Sequence, residues 1–268
     1  MTLKKSHLMT VIASLLICGG VNANDIHPDS EFVNAGPAAN PVVIDGNLSE
    51  WSGGNAVVNP QFSIPKGSGN AGSYVIFESN GADWTGTDDQ SSNLQISYDS
   101  DNVYIGLVVT DEYHENAANS AWNGDTVQMM VANGARDAQV GLYNYALGGI
   151  DGGLGSVIVN HEAGPGGTEA VVTRDAGALQ TTYEIKLPKA ALGLSELTVG
   201  TQFGLGMAIN DGDQAIPGQG GWGGLGAHAI VFGKSPGETA LVTLVPEPAG
   251  VGLAAVGAFA ALMLRRRR

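Results

Sequence analysis

Apolar and polar positions alternate with a period of two through the middle of the chain. Val103, Ile105, Leu107 and Val109 share one face of 103–109, and Tyr183, Ile185 and Leu187 alternate with Glu184 and Lys186. Phe203, Leu205, Met207 and Ile209 alternate with Gly204, Gly206 and Ala208. This periodicity marks strands with one face on a core. Further strands are expected at 73–78, 93–98, 125–132, 140–147, 155–160, 168–173, 227–232 and 239–245. Asp99-Ser100-Asp101-Asn102 joins two of them as a loop of turn-forming residues. The one helical signal is Pro188–Leu194, a turn or two opened by proline. Many short strands with Gly and Asp turns predict an all-β chain, an antiparallel β-sandwich of jelly-roll or immunoglobulin-like kind. With no sustained repeat and no long linker, 42–245 reads as one domain behind an extended lead-in at 24–41.

The two ends depart from this pattern. Residues 1–23 have the three parts of a secretory signal: Lys4 and Lys5, the apolar run Leu8–Val21, and small residues at Val21-Asn22-Ala23. Cleavage is expected after Ala23. A lipoprotein signal using Cys18 is the alternative, disfavoured by the bulky Ile17 before it. At the other end Ala249–Leu264 is uncharged and runs into Arg265-Arg266-Arg267-Arg268. As a helix it would span about 24 Å, short of the ~30 Å hydrocarbon core, with arginine side chains reaching part of the gap. The basic cluster would stay cytoplasmic, which puts the domain outside. The ends are therefore expected as a signal helix and a single membrane helix.

Composition then narrows the chemistry. Cys18 is the only cysteine, so the exported part carries none. Disulfides, thiol catalysis and thiolate metal sites are excluded there. Between 24 and 245 six basic residues stand against 25 acidic ones, a net charge of −19. Such a surface repels nucleic acid and anionic lipid and is compatible with cations. The 40 glycines in 268 residues suit tight connections between strands.

The C-terminal features fall in a specific order. Pro246-Glu247-Pro248, the short apolar helix and the terminal arginines resemble the PEP-CTERM sorting signal. The resemblance implies cutting near Pro246, Glu247 and Pro248 by an exosortase, after signal peptidase has acted and the tail has inserted transiently in the inner membrane. It also implies a Gram-negative host that makes exopolysaccharide, with the protein ending at the cell surface or in the biofilm matrix.

A second series runs through the domain: Ile44-Asp45-Gly46-Asn47-Leu48-Ser49-Glu50-Trp51, then Tyr98-Asp99 through Val103-Tyr104-Ile105 to Thr110-Asp111. Next come Trp122-Asn123-Gly124-Asp125-Thr126-Val127-Gln128-Met129, Tyr183–Pro188, and Phe203–Ile209 running into Asn210-Asp211-Gly212-Asp213 and Gly221-Trp222. In this order the pieces resemble family 9 carbohydrate-binding modules and the related DOMON-like sandwiches. The resemblance implies a non-catalytic β-sandwich that binds a polysaccharide or oligosaccharide in a tryptophan-lined cleft, often with structural calcium.

Sugar rings stack their C–H faces on flat aromatics while their hydroxyls bond to Asp, Asn and Gln. Trp122 beside Asn123 and Asp125, and Trp222 within the small residues of 218–226, are the stacking candidates, with Asn210 and Asp211 as polar partners. Trp84 between Asp83 and Thr85 is third, and Trp51 is expected in the core. For calcium, which takes clustered oxygen ligands, the local groups are Asp99 with Asp101, Asp111 with Glu112, and Asp211 with Asp213. His27, His114, His161 and His228 lack metal spacing, and most are expected on surface loops. Met129, Met130 and Met207 are expected in the core, not as haem ligands of the kind some DOMON relatives use. Gly233–Gly237 fits the G-x-S-x-G pattern without the strand-to-helix elbow it needs, and Gly218–Gly223 fits G-x-G-x-x-G without a βαβ unit. Two other readings stay open: a matrix protein with no sugar site, and a glycoside hydrolase using paired carboxylates.

Overall fold

The computed structural model describes residues 32–51, 55–59, 74–231 and 233–247. The signal segment with Ala23, and the tail from Pro248 onward, lie outside the described residues, as does the 24–31 part of the lead-in. Among the described residues no helix is long and apolar enough to cross a membrane.

The chain is all-β, its strands falling into two sheets. The first contains β3 (Tyr74–Ser79), β7 (Thr126–Ala132), β8 (Gln139–Ile150), β9 (Gly153–Ala163), β12 (Gln202–Asp211), β13 (Gly221–Leu225) and β14 (Ala240–Leu244), with the short β6 (Glu115–Asn116). The second contains β2 (Asn55–Asn59), β4 (Gln90–Tyr98), β5 (Asn102–Asp111), β10 (Glu169–Asp175) and β11 (Gln180–Pro188). β1 (Phe32–Pro37) belongs to both: Phe32–Ala35 pair with β14 and Gly36–Pro37 with β4. Both pairings are parallel, where the alternation alone predicted a purely antiparallel arrangement. The stretch read as lead-in is thus the strand that joins the sheets.

Leu94, Ile96, Ile105 and Leu107 of the second sheet share one buried cluster with Val127, Met129, Phe203, Leu205 and Met207 of the first. The alternating apolar faces meet, as in a β-sandwich. Met129, Met130 and Met207 are all buried there or just behind. Trp51 is buried too, packed edge-on against Tyr104 on the outer face of the second sheet. Its Nε1–H donates to Glu184 Oε1 at 3.0 Å, and Glu184 Oε2 accepts the backbone N–H groups of Asp45 and Gly46 at 2.9 and 2.8 Å. The Asp-Gly…Trp motif is therefore a clasp on one buried carboxylate. Gly46, at φ +87°, lies so close to Thr173 that a Cβ would sit 2.8 Å from its methyl group.

Two assignments differ from the sequence pattern. The 227–232 segment forms a short helix, α1 (His228–Val231), and 221–225, absent from the expected strands, is one. Both follow from the outer face of β12. Gly204, Gly206 and Ala208 read as a polar-side filler, but they leave room for a second layer. A Cβ on Gly206 would stand 3.0 Å from Ala229 of α1. Trp222, Ala227, Ala229 and Ile230 pack with Met130, Leu142 and Ala208 as a smaller cluster there. The proline-opened segment near 188–194 is a single 3-10 turn, Lys189–Leu192.

Candidate functional site

The second layer leaves a cleft of about 430 Å³ on the outer face of the first sheet. Trp122, Trp222, Ile230 and Val231 give it apolar walls, while Asn80, Gln128 and Gln219 supply amides. Glu162 and Lys234 place one charge of each sign on its rim. A cleft of a few hundred Å³ with apolar surface and a few convergent polar groups is what a small ligand needs. The tryptophans differ in setting. Trp122 is 48% exposed, whereas Trp222 is 4% exposed. Trp222 donates Nε1–H to Glu78 Oε2 at 3.0 Å, and His228 Nε2 lies 3.0 Å from the same oxygen. Glu78 and His228 are buried, so Trp222 is fixed from behind by a buried carboxyl group that His228 also faces.

Asn210 ties the cleft together. Its Nδ2 donates to the Trp122 carbonyl at 2.9 Å and to Gln128 Oε1 at 3.2 Å, and its Oδ1 accepts from Gln219 Nε2 at 2.9 Å. This leaves the Gln128 NH₂ and the Gln219 side-chain Oε1 for a ligand, the Gln219 backbone carbonyl being taken by Asn80 Nδ2 at 3.1 Å. Asn123 Oδ1 accepts the Gln219 backbone N–H at 3.0 Å. Glu162 is steadied by Asn144, whose Nδ2 donates to its Oε1 at 2.7 Å.

An acidic centre lies at the same end of the sandwich, where β5, β7 and β12 carry Asp111, Asp125 and Asp211 at their termini. Asp111, His114 and Asp125 bring ligand atoms within 4.8 Å of one another, and so do Asp89, Glu112 and Asp213. Burial, then the Asp211 charge, pushes the Asp125 carboxyl well above the usual carboxylate range. Burial, then Asp125, does the same to Asp111. Asp211 is raised by burial, then by Asp111, Asp213, Asp89 and Glu112. Arg174 bears on Asp111, yet it is held by Asp151 through two bonds at 2.8 and 3.2 Å. His114 lies among these acids, fully buried. Its Nε2 faces the Leu147 carbonyl at 2.7 Å and must donate there. Burial lowers its pKa, so the ring is neutral and Nδ1 carries a lone pair. Among the described residues that Nδ1 has no hydrogen-bond partner, and it stands 3.3 Å from Asp125 Oδ2. Crowded carboxylates and a buried lone pair turned on them fit a divalent cation. Asp111 and Asp125 could offer oxygen ligands of the kind calcium takes, with His114 Nδ1 beside them.

Over residues 69–223 the sequence matches the model for the carbohydrate family 9 binding domain-like family. The chain belongs to this family. A carbohydrate binding module family 9 from Caldicellulosiruptor kristjanssonii in complex with cellotriose has 13% identity and a TM-score of 0.55, covering 80% of this chain and 94% of that one. One from the same organism in complex with glucose has the same identity and TM-score, covering 80% and 96%. At that identity the likeness is one of fold. Comparison with curated proteins finds no match. Family 9 modules bind and do not catalyse, so the chain is not an enzyme and the hydrolase reading falls away.

Within this family 9 module the candidate residues sort by place. Trp122 and Trp222 line one cleft, although Trp222 stands on strand β13. Asn123, Asp125 and Asn210 lie behind it, bonded to protein. Asp211 belongs to the acidic centre with Asp111, Glu112 and Asp213. Trp84 is half-buried before β4 with Nε1–H on the Gln90 carbonyl at 2.8 Å, and is not among the cleft residues. Asp99 and Asp101 occupy the other end of β5. Asp99 Oδ1 accepts the N–H groups of Asp101 and Asn102, and Asp101 pairs with Lys189. Against the expectation of surface loops for most histidines, His114 and His228 are both buried, each against a carboxylate. Asn80, Gln128, Glu162, Gln219 and Lys234 were not foreseen. Only Gln128, polar within the apolar run Val127–Val131, carried a local signal.

Proposed function

We propose that the chain is an exported, non-catalytic protein that holds an oligosaccharide in the cleft of Trp122 and Trp222. The carrying observation is one cleft containing an exposed indole, a second indole fixed from behind, and amides with spare donors and acceptors. The Trp122 face offers stacking, the Gln128 NH₂ and Gln219 Oε1 meet hydroxyls, and Glu162 and Lys234 orient the ring. The similar modules in complex with cellotriose and glucose support a neutral, glucose-type ligand. A cation at Asp111 and Asp125 would neutralise buried charge close behind the cleft. Titrating cellotriose into the purified full-length protein by calorimetry should give a Kd of about 10 μM to 1 mM. No heat with cellotriose, glucose or any member of a glycan array would refute the reading.

The export reading rests on the sequence of the two ends. A signal peptidase removes 1–23, the apolar tail holds the chain in the inner membrane, and an exosortase cuts near Pro246, Glu247 and Pro248. The domain then works at the cell surface or in the exopolysaccharide matrix. Pro246 and Glu247 follow β14 as exposed, non-regular chain, open to a processing enzyme. Intact mass of protein recovered from the host should lack both ends; a full-length mass in the soluble cytoplasm refutes it.

A further inference from the structure

We propose that a divalent cation at the acidic centre sets the shape and affinity of the sugar cleft, through the positioning residues Glu115, Asn123, Asp125 and Asn210. The inference rests on the sugar reading of the cleft and adds how that cleft is controlled.

Two chain segments run from the acidic centre to the cleft, and both are latched at each end. In the first, Asp125 Oδ1 accepts the Gly212 N–H at 2.7 Å and the Asp211 carbonyl accepts the Gly220 N–H at 2.7 Å. Buried Glu115 Oε2 takes the Gly218 N–H between them, also at 2.7 Å. Gln219, whose side chain lines the cleft, is thus held on both sides by acids of the centre or their neighbours. In the second segment, Asp125 Oδ2 accepts the Glu115 N–H and the Glu115 carbonyl accepts the Asp125 N–H, at 2.7 and 2.6 Å. That fixes the turn presenting Trp122. Asn123 and Asn210 then cross-link the segments at the cleft. There is no slack: a Cβ on Gly124 would stand 2.4 Å from the Glu115 carbonyl, and one on Gly212 would stand 2.7 Å from that of Gly218.

Asp111 and Asp125 bring carboxylate oxygens within 4.8 Å of each other and of His114, out of water. A cation among them fixes that spacing, which otherwise rests on the hydrogen bonds of the two segments alone. Asp125 and the Asp211 carbonyl hold the 212–220 segment, so a change of spacing moves Gln219 and the Trp122 turn. The fully buried His114 Nδ1, without a hydrogen-bond partner among the described residues and 3.3 Å from Asp125 Oδ2, is an independent sign that the centre receives a ligand. Coupling of this kind is reciprocal: cation and sugar must raise each other's affinity by one factor.

The test uses metal-stripped full-length protein, CaCl₂ and cellotriose. Calorimetry should show calcium binding alone, cellotriose binding about tenfold tighter at saturating calcium, and calcium binding tighter by the same factor with cellotriose present. In Asn210→Ala calcium affinity should stay within about twofold while the factor falls towards one. A ZnCl₂ titration reads whether His114 favours a softer ion; the coupling must hold for whichever ion binds tighter. Failure of both ions to bind, or both ligands binding with a factor within twofold of one, overturns the proposal and leaves the cleft reading standing. Absence of sugar binding under every condition sinks the cleft reading instead. Fluorescence then decides: calcium should shift the emission of the wild type and not of Trp122→Phe, and no shift overturns the positioning as well.

Discussion

Trp122→Ala separates binding from folding more cleanly than any other change in the cleft. An indole side chain presents on the order of 200–250 Å², and 48% exposure leaves roughly 100–120 Å² of that on the surface. A sugar ring lying on half of this covers about 55 Å², worth about 1.4 kcal/mol at ~25 cal/mol per Å². Full coverage gives about 2.8 kcal/mol. Truncation should therefore raise the cellotriose Kd about 10- to 100-fold. The fold should hardly notice, because Asn210 grips the Trp122 backbone carbonyl and leaves the indole alone. A stability loss under about 1 kcal/mol is expected. The assay is calorimetric titration with a thermal melt on the same sample. A Kd within twofold of wild type at unchanged Tm would refute stacking on this residue. Trp222→Ala is the poorer probe: burial makes its truncation cost about 3–5 kcal/mol, mixing lost folding with lost binding.

Glu78→Gln replaces the buried carboxyl group that Trp222 and His228 both face and should cost about 1–2 kcal/mol in urea unfolding through the altered hydrogen bond to the indole; an unchanged stability would show that this contact carries little. Glu184→Gln keeps the shape of the clasp on Trp51, Asp45 and Gly46 but weakens three hydrogen bonds to a carboxylate, for an expected loss of about 2 kcal/mol and a red shift in Trp51 emission. Asp99→Ala should cost about 1–2 kcal/mol at pH 7 through the lost turn bonds. Burial opposes the Asp99 charge, but the Tyr104 hydroxyl and the Asp101 and Asn102 N–H groups outweigh it and lower its folded pKa. Its contribution is then complete above the unfolded aspartate value of about 4 and fades as pH falls through the lower folded value. The gap between Asp99→Ala and wild type should close in that acid range and stay constant above it.

Alternation exposed most of the sandwich because the two inner faces obey it: the period-two runs at 103–109, 183–187 and 203–209 became β5, β11 and β12. What it could not show was a second layer on the outer face. Gly204, Gly206 and Ala208 look like fillers until α1 and β13 are placed on them, and no local pattern announces an absence of side chains. Half of the cleft was legible because an aromatic among polar residues in a turn stands out, as at Trp122-Asn123. The remainder is assembled across long separations: Glu78 reaches Trp222 over 144 residues, and Asn210 reaches Trp122 over 88. The acidic pairs Asp111–Glu112 and Asp211–Asp213 were visible singly. Their meeting depends on β5 and β12 ending at one end of the sandwich, and His114, three residues past Asp111, gains its meaning only there.

The strand shared by both sheets has a mechanical consequence. Val245 leaves the domain beside Ala35, donating its N–H to that carbonyl at 2.8 Å, so any tether beyond Pro246 pulls on β14 along its length. Tension from a polymer held in the cleft would enter through the far end of β12, near Asn210, while Thr243 pairs with Gln202 at the near end. The two loads act at opposite ends of one ladder and shear its bonds together, with β1 as a second ladder on the other flank. A module wired this way resists drag as a lap joint does, and gives way only when both seams slide at once.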